Sequence, residues 1–311
     1  MEDPGISISV IIPSYNEVET ISPCLSSLRL QTGLDSNVRV EIIVVDSSTD
    51  GTDSLIKRDF PSITLYHSEQ KMYPGDARNY GVRYSNGEIL AFLDADCRVE
   101  ATWIFQVLEA YQETQCPVIG GAIANGNPES YVGWGYYFSS FSQWMPRHRH
   151  ESFEISDLPS TFLACKRSVF DQCGPFLEGT LCQDTVFMWN VINAGYQAWF
   201  VPEIQIFHTN IDDFYGIVKR KVKHGKTFAK LRASEKKFSI LKQLLFAIGS
   251  LVLPFLITYR RTKDIVYAQK YWGQFIVAMP MTLISIFCWS LGELLGYAEL
   301  KNNIHLRKAS N

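Results

Sequence analysis

The sequence predicts an α/β fold, with a mostly parallel central sheet and flanking helices, followed by a C-terminal α-helical hairpin. Three observations carry that expectation. Over the first hundred residues, β-branched apolar runs alternate with segments of helical spacing. The apolar runs end in polar clusters, which is where parallel sheets meet their ligands. Past Phe214 the composition changes abruptly to a basic stretch and then to two long apolar ones.

Ile6 to Ile12 (ISISVII) and Val38 to Val45 (VRVEIIVV) read as buried strands bounded by turn residues. Between them, Val18 to Leu30 has helical spacing. The alternation goes on with a helix after Asp50, a short strand near Ile63 to Tyr66, a helix over Asp76 to Tyr84 and a strand at Ile89 to Leu93. Strand, helix, strand in repetition builds a parallel sheet. From Gly120 to Pro159 the pattern loosens into GWGYYFSSFSQW and the basic run Arg147 to His150. That stretch reads either as an acceptor-facing or membrane-facing loop, or as an irregular β segment packing its aromatics in the core. Order returns with Thr161 to Cys165 and with a helix near Cys182 to Ala194 that Gly195 stops. A strand from Ala198 to Phe207 follows, interrupted by Pro202.

At 311 residues, with 46% hydrophobic and 20% charged, the chain is long enough for one large domain or two ordinary ones, and too apolar to be disordered. Its net charge of −3 conceals a split. Up to Phe214 there are 12 Lys and Arg against 28 Asp and Glu, and from Tyr215 onward 17 against 4. The implied organisation is an acidic body over 1–214, a basic juxtamembrane segment over 215–237, two membrane-associated helices over 238–300 and a polar tail over 301–311. The apolar stretches, Gln243 to Tyr259 and Phe275 to Gly292, lie at the short end of what a bilayer needs. Trp272, Trp289 and Tyr297 fall where interfacial aromatics belong. The intervening loop, Arg260 to Lys270, carries four basic residues and one acid, which also admits a re-entrant or interface-lying hairpin. Seven cysteines without a C-x-x-C pair fit reduced thiols in a cytosolic compartment, and the acidic start MEDPG is unlike a secretory signal.

The chemistry concentrates in four clusters. Asp94-Ala95-Asp96 follows the strand ILAFL, and two carboxylates so spaced can grip a hard divalent ion that also takes diphosphate oxygens. A strand ending in aspartates that cap the next helix has the same look, so the order of the clusters carries the inference. The others are Pro13-Ser14-Tyr15-Asn16-Glu17, the run Asp46 to Thr52, and Gly75-Asp76-Ala77-Arg78-Asn79. No G-x-x-x-x-G-K-[ST] loop for ATP hydrolysis occurs.

With P-x-Y-N-E, V-V-D-x-S-x-D-G-T, A-R-N-x-G and L-D-A-D at these spacings, Ser7 to His208 resembles family 2 of the glycosyltransferases, inverting nucleotide-sugar enzymes of the GT-A fold. The resemblance implies that Pro13, Tyr15 and Glu17 line a nucleoside pocket, Tyr15 against the base and Glu17 near the ribose. Asp46 would accept a hydrogen bond from the base, and Arg78 would lie beside the diphosphate. Asp94 and Asp96 match the Mn2+ or Mg2+ motif, with Asp96 the direct ligand. His208 matches a position that often carries a histidine near the metal. Asp184 stands where the family places the base that deprotonates the acceptor, although Gln183 replaces the acid that usually precedes it. No Q-x-x-R-W follows, which favours adding one sugar at a time.

The resulting expectation is a metal-dependent, inverting glycosyltransferase of the membrane, its catalytic domain on the cytoplasmic side. A UDP- or GDP-sugar is the donor, and the acceptor is a lipid-linked or membrane-associated glycan. Transfer to polyprenyl phosphate and a non-catalytic nucleotide-sugar-binding scaffold are the rival readings. No nucleic-acid partner is expected, because the basic run abuts apolar helices.

Overall fold

A computed structural model describes residues 6–148 and 151–299. Arg149 and His150 of the basic run, the acidic start at 1–5 and the tail at 301–311 lie outside the described residues. In chain order the elements are β1 (Ser7–Ser14), α1 (Ile21–Arg29), β2 (Arg39–Asp46), α2 (Thr52–Asp59), β3 (Thr64–His67), α3 (Pro74–Arg83) and β4 (Ile89–Leu93). There follow β5 (Cys97–Val99), α4 (Trp103–Thr114), β6 (Val118–Asn125), α5 (Tyr131–Phe141), β7 (Phe153–Glu154), β8 (Phe162–Lys166), α6 (Arg167–Cys173), α7 (Gln183–Asn193) and β9 (Ala198–His208). Helices α8 (Phe214–Glu235), α9 (Ile240–Gly249), α10 (Leu253–Ala268) and α11 (Trp272–Ala298) end the chain.

The described residues form two compact units: 6–124 with 151–208, and 125–148 with 209–299. The first holds a nine-stranded sheet in the order β3-β2-β1-β4-β8-β6-β9-β5, with β7 on β9. β1, β2, β3 and β4 pair in parallel because helical crossovers connect them. Beyond β4, β8 pairs antiparallel with both β4 and β6, and β9 pairs antiparallel with β5 and β7. The core runs along the central strands, where Ile8, Val10, Ile11, Ile12 and Leu90 to Leu93 are essentially inaccessible. Close packing here rests on glycine. A Cβ at Gly81 of α3 would come 2.5 Å from Ile11 Cγ2, and one at Gly121 of β6 would strike the Ile204 carbonyl of β9. β9 runs unbroken through Pro202, which falls between its β7-paired and β5-paired stretches.

In the second unit, α11 packs against α5, α8, α9 and α10. The aromatic stretch read as loop or irregular β is helical over Tyr131–Phe141. Ser130 caps it through Gly133 N, and Phe138 stacks at 5.2 Å on Trp134 and meets Phe275 of α11 edge-on at 5.1 Å. Gly225 of α8 and the G-x-x-x-G pair Gly292 and Gly296 of α11 bring the two backbones together, since a Cβ at any of them would collide with the other helix. The first apolar stretch is not one helix: α9 and α10 meet at 63° across Ser250–Val252. Pro254, in the first turn of α10, has no N–H to continue a helix from α9, and Ser250 Oγ instead donates to Phe246 O at 2.9 Å. The expected loop at Arg260 to Lys270 is mostly the second half of α10, and the chain turns at Gln269 and Tyr271, both at positive φ. α11 is 27 residues long, and by length and apolar composition it suffices to cross a membrane.

Candidate active site

The site forms at the carboxyl ends of the strands in the first unit. Register places Ser14, Asp46 and His67 in one row across β1, β2 and β3, and Asp94 follows β4 directly. The antiparallel pairing of β5 with β9 sets Cys97 opposite His208, which delivers His208 to the residue before Cys97, Asp96. The ligand atoms of Asp94, Asp96 and His208 lie within 4.8 Å of one another, and His208 Nε2 stands 3.4 Å from Asp96 Oδ2. His208 is buried while the two aspartates keep partial access to solvent.

Arg78, on α3 and only 2% exposed, pairs through Nη2 with Asp94 Oδ1 and reaches the Ser160 carbonyl at 3.4 Å. Its Nε and Nη1 are buried without hydrogen-bond partners. Ser160 has a second attachment. Its N–H and its Oγ each donate at 3.2 Å to Asp184 Oδ2, while Asp184 Oδ1 accepts from Thr185 N at 2.9 Å in the first turn of α7. Ser160 therefore joins the arginine–aspartate pair to Asp184. Gln183, where the family has an acid, donates to Ser160 Oγ at 3.4 Å.

The loops after β1 and β2 are laced together: Asn16 N donates to Ser48 Oγ at 2.7 Å, Thr49 N to Asn16 Oδ1 at 2.9 Å, and Glu17 N to Thr52 Oγ1 at 3.1 Å. Tyr15 is exposed on this surface, with Lys71 Nζ 3.6 Å from its ring centre. Pro13 is half-buried within β1 opposite Val45, and the Glu17 carboxylate accepts from Thr20 Oγ1 at the start of α1. Asp46 has no accessible side-chain surface. Its Oδ2 accepts from Ser48 N at 3.1 Å and lies 2.7 Å from His67 Nδ1, and its Oδ1 accepts from Ser48 Oγ. The group presented beside this carboxylate is His67, 26% exposed.

Two carboxylates and one imidazole make a donor set of hard oxygens with a nitrogen, and these residues fit Mn2+ or Mg2+. Burial, reinforced by Asp96 and Asp94, pushes the thiols of Cys24 and Cys97 far up, so they stay protonated and offer no thiolate to a softer metal. Ser160 and His67 are absent from the sequence-derived site. Ser160 carries no local signal, whereas His67 ends a strand just as His208 does.

Fold and site together are those of a glycosyltransferase of the GT-A class. The sequence model of glycosyl transferase family 2 matches residues 9–174, more than half of the chain, and the chain belongs to that family. It is similar to glycosyltransferase AglE of Haloferax volcanii, 28% identical over 226 residues, 70% of this chain and 72% of that one. To the probable glycosyltransferase YdaM of Bacillus subtilis it is 28% identical over 207 residues, 63% of this chain and 49% of that protein. Poly-beta-1,6-N-acetyl-D-glucosamine synthase of Staphylococcus epidermidis matches 96% of this chain at 23% identity, over 76% of its own length. Among solved structures, mannosyltransferase PcManGT from Pyrobaculum calidifontis, in complex with GDP-Man and Mn2+, superposes with a TM-score of 0.62 at 18% identity, over 92% of this chain and 86% of that one. GalNAc-T7 with UDP, GalNAc and Mn2+ gives 0.51 at 18% identity, over 67% and 44%.

Proposed function

We propose that this chain transfers a sugar from a UDP- or GDP-sugar to a lipid-linked or membrane-associated glycan, with inversion at the anomeric carbon. The observation that carries the reading is the continuous chain of contacts from the Asp94, Asp96 and His208 cluster through Arg78 and Ser160 to Asp184. Within it, Asp94, Asp96 and His208 would hold Mn2+ or Mg2+, which when bound neutralises charge growing on a leaving diphosphate. Arg78 fixes the orientation of Asp94, while Pro13, Tyr15 and Glu17 shape the nucleoside side of the site.

Asp184 takes the proton from the acceptor hydroxyl as its oxygen attacks the anomeric carbon and the bond from that carbon to the diphosphate oxygen breaks. Ser160, donating twice to Oδ2, holds the carboxylate in one orientation, and Oδ1, which accepts only from Thr185 N, keeps a lone pair for that proton. A single displacement inverts the carbon. Membrane attachment is supported by α11 and the bent pair α9–α10, which wear apolar side chains outward; in this reading the basic α8 meets anionic headgroups and the catalytic unit lies on the cytoplasmic side.

The test is Asp184→Asn in the detergent-solubilised full chain. A group that only removes a proton adds little to donor affinity, so nucleotide-sugar binding stays near wild type while transfer falls by about 10² to 10⁴. Normal transfer by the variant, or retention of configuration in the product, overturns the reading. Failure of the wild type to transfer from any donor favours the scaffold instead.

A further inference from the structure

We propose that His67, and not Asp46, reads the donor's nucleobase, and that it selects bases whose ring nitrogen carries a hydrogen beside a carbonyl, uracil or guanine, over adenine and cytosine. The proposal rests on the donor reading above. It begins from an obstacle in the structure: Asp46, the carboxylate that the family resemblance assigns to the base, has no surface open to a ligand.

Position comes first. His67 closes β3, at the outer end of the row that runs through Asp46 and Ser14 to the strand bearing Asp94. With strands about 4.8 Å apart, three spacings separate β3 from β4 by roughly 14 Å. That separation suits a nucleoside diphosphate laid along the carboxyl edge, its phosphates at Asp94 and Asp96 and its base at His67. The structure has a cleft there of about 490 Å³, bounded by Val45, Tyr66, His67, Lys71, Met72 and Tyr80. Its volume lies in the usual range for small-ligand sites.

Chemistry comes second. A carboxylate oxygen accepts, so whenever the imidazole carries a single proton the 2.7 Å contact with Asp46 Oδ2 places that proton on Nδ1. Nε2 is then a lone-pair acceptor, held in orientation by a carboxylate that Ser48 fixes through both its N–H and its hydroxyl. An acceptor so fixed pairs with N3–H of uracil or N1–H of guanine. The equivalent ring nitrogens of adenine and cytosine are themselves acceptors and would face it lone pair to lone pair, a mismatch that leaves polar groups unpaired. Lys71, on the same cleft and above the Tyr15 ring, supplies a donor for the adjoining carbonyl.

The experiment is calorimetric binding to the full chain in detergent with Mn2+, comparing UDP, GDP, CDP and ADP with the ring-N-methylated forms of UDP and GDP. The expected result is that UDP or GDP binds at least tenfold tighter than CDP and ADP. Methylation of the ring nitrogen removes that advantage. His67→Leu erases it too, whereas His67→Gln, which keeps an acceptor, retains part of it; one hydrogen bond is worth roughly tenfold. Undiminished preference in His67→Leu, or equal binding of the methylated nucleotides, overturns the role of His67 and leaves the donor reading intact. Absence of binding by every nucleotide overturns the donor reading and this proposal with it. Should His67→Leu fail to fold, the methylated nucleotides on the wild-type chain decide the question.

Discussion

In the first unit β4 buries all five of its residues, and Arg78, buried among them, meets the carboxylate of Asp94. In the second, Leu245, Ile248, Leu251, Val252 and Phe255 along α9 and α10 are 60–69% exposed. There the buried amine of Lys221 has Ser140 Oγ at 2.8 Å and the ring faces of Tyr136 and Trp289 at 4.8 and 6.0 Å, with no carboxylate in contact among the described residues. Burial, with Arg261 and Arg220 beside it, holds that amine well below its ordinary range. The first unit satisfies the rules of a protein in water, apolar inside and charge paired. The second exposes a run of apolar side chains and buries one amine without a carboxylate partner, although Lys226, Lys230 and Arg261 are paired, and that exposed face supports the membrane attachment proposed above.

The largest effect should come from the site. Asp96→Asn removes an oxygen donor from a three-residue set, and we expect transfer to fall by a factor on the order of 10³ or more, with nucleotide binding losing its dependence on divalent cations. Full activity in that variant, or in EDTA, would remove the metal from the mechanism while leaving the second unit untouched.

A change of sign on the apolar face should break the contrast next. Introducing Ile248→Glu together with Phe255→Glu places two carboxylates on the exposed faces of α9 and α10 and costs about 2 kcal/mol or more each in lipid. Release of this variant from membranes by alkaline carbonate is the expected outcome, the wild type resisting it. Equal extraction of both proteins would show that these helices do not enter the bilayer.

Charge pairing gives a sharper test within each unit. Arg78→Met takes the buried guanidinium from Asp94, a carboxylate that keeps partial access to solvent, and the melting temperature is expected to drop by several degrees. Lys221→Met puts a side chain of similar length in place of a buried amine that has no carboxylate partner among the described residues, and the melting temperature is expected to hold or rise. A large fall in the second variant would mean that Lys221 holds the unit together.

The smallest effect is with pH. Burial, and then Arg220, Lys221 and Lys223, push His224 of α8 down to about 3 from 6.5. Between those values the unfolded chain takes up a proton that the folded chain refuses. Stability present above 6.5 is therefore lost as pH falls, by up to about 2 kcal/mol at pH 5. In the first unit burial raises Glu41, but hydrogen bonds from Ser9, Asn86 and Gly87 outweigh it and hold the carboxyl below 4.5. Its contribution is full above that value and is lost only as pH drops through the lower, folded one. Thermal melts between pH 7 and 5 should therefore respond to His224→Phe and not to Glu41→Gln.

Local pattern was enough for much of this molecule. The strand Ile89 to Leu93 and the helix stop at Gly195 follow from local periodicity, because each depends on neighbours within a few positions, while it was the resemblance to family 2 that singled out Arg78, Asp94, Asp96, Asp184 and His208. What the tertiary structure alone decided depends on partners far along the chain. Tyr131–Phe141, rich in glycine and aromatics, is helical because α11 offers Met281 beside Gly135 and Phe275 beside Phe138. Antiparallel β8 enters between β4 and β6, and by ending the loop at Ser160 it brings Asp184 to within two hydrogen bonds of Arg78. Asp46 withdraws behind His67, 21 residues away, because the parallel register of β2 and β3 sets them side by side. A period or a motif reports which face a residue takes. Which distant group waits on that face is settled only when the strands have found their order.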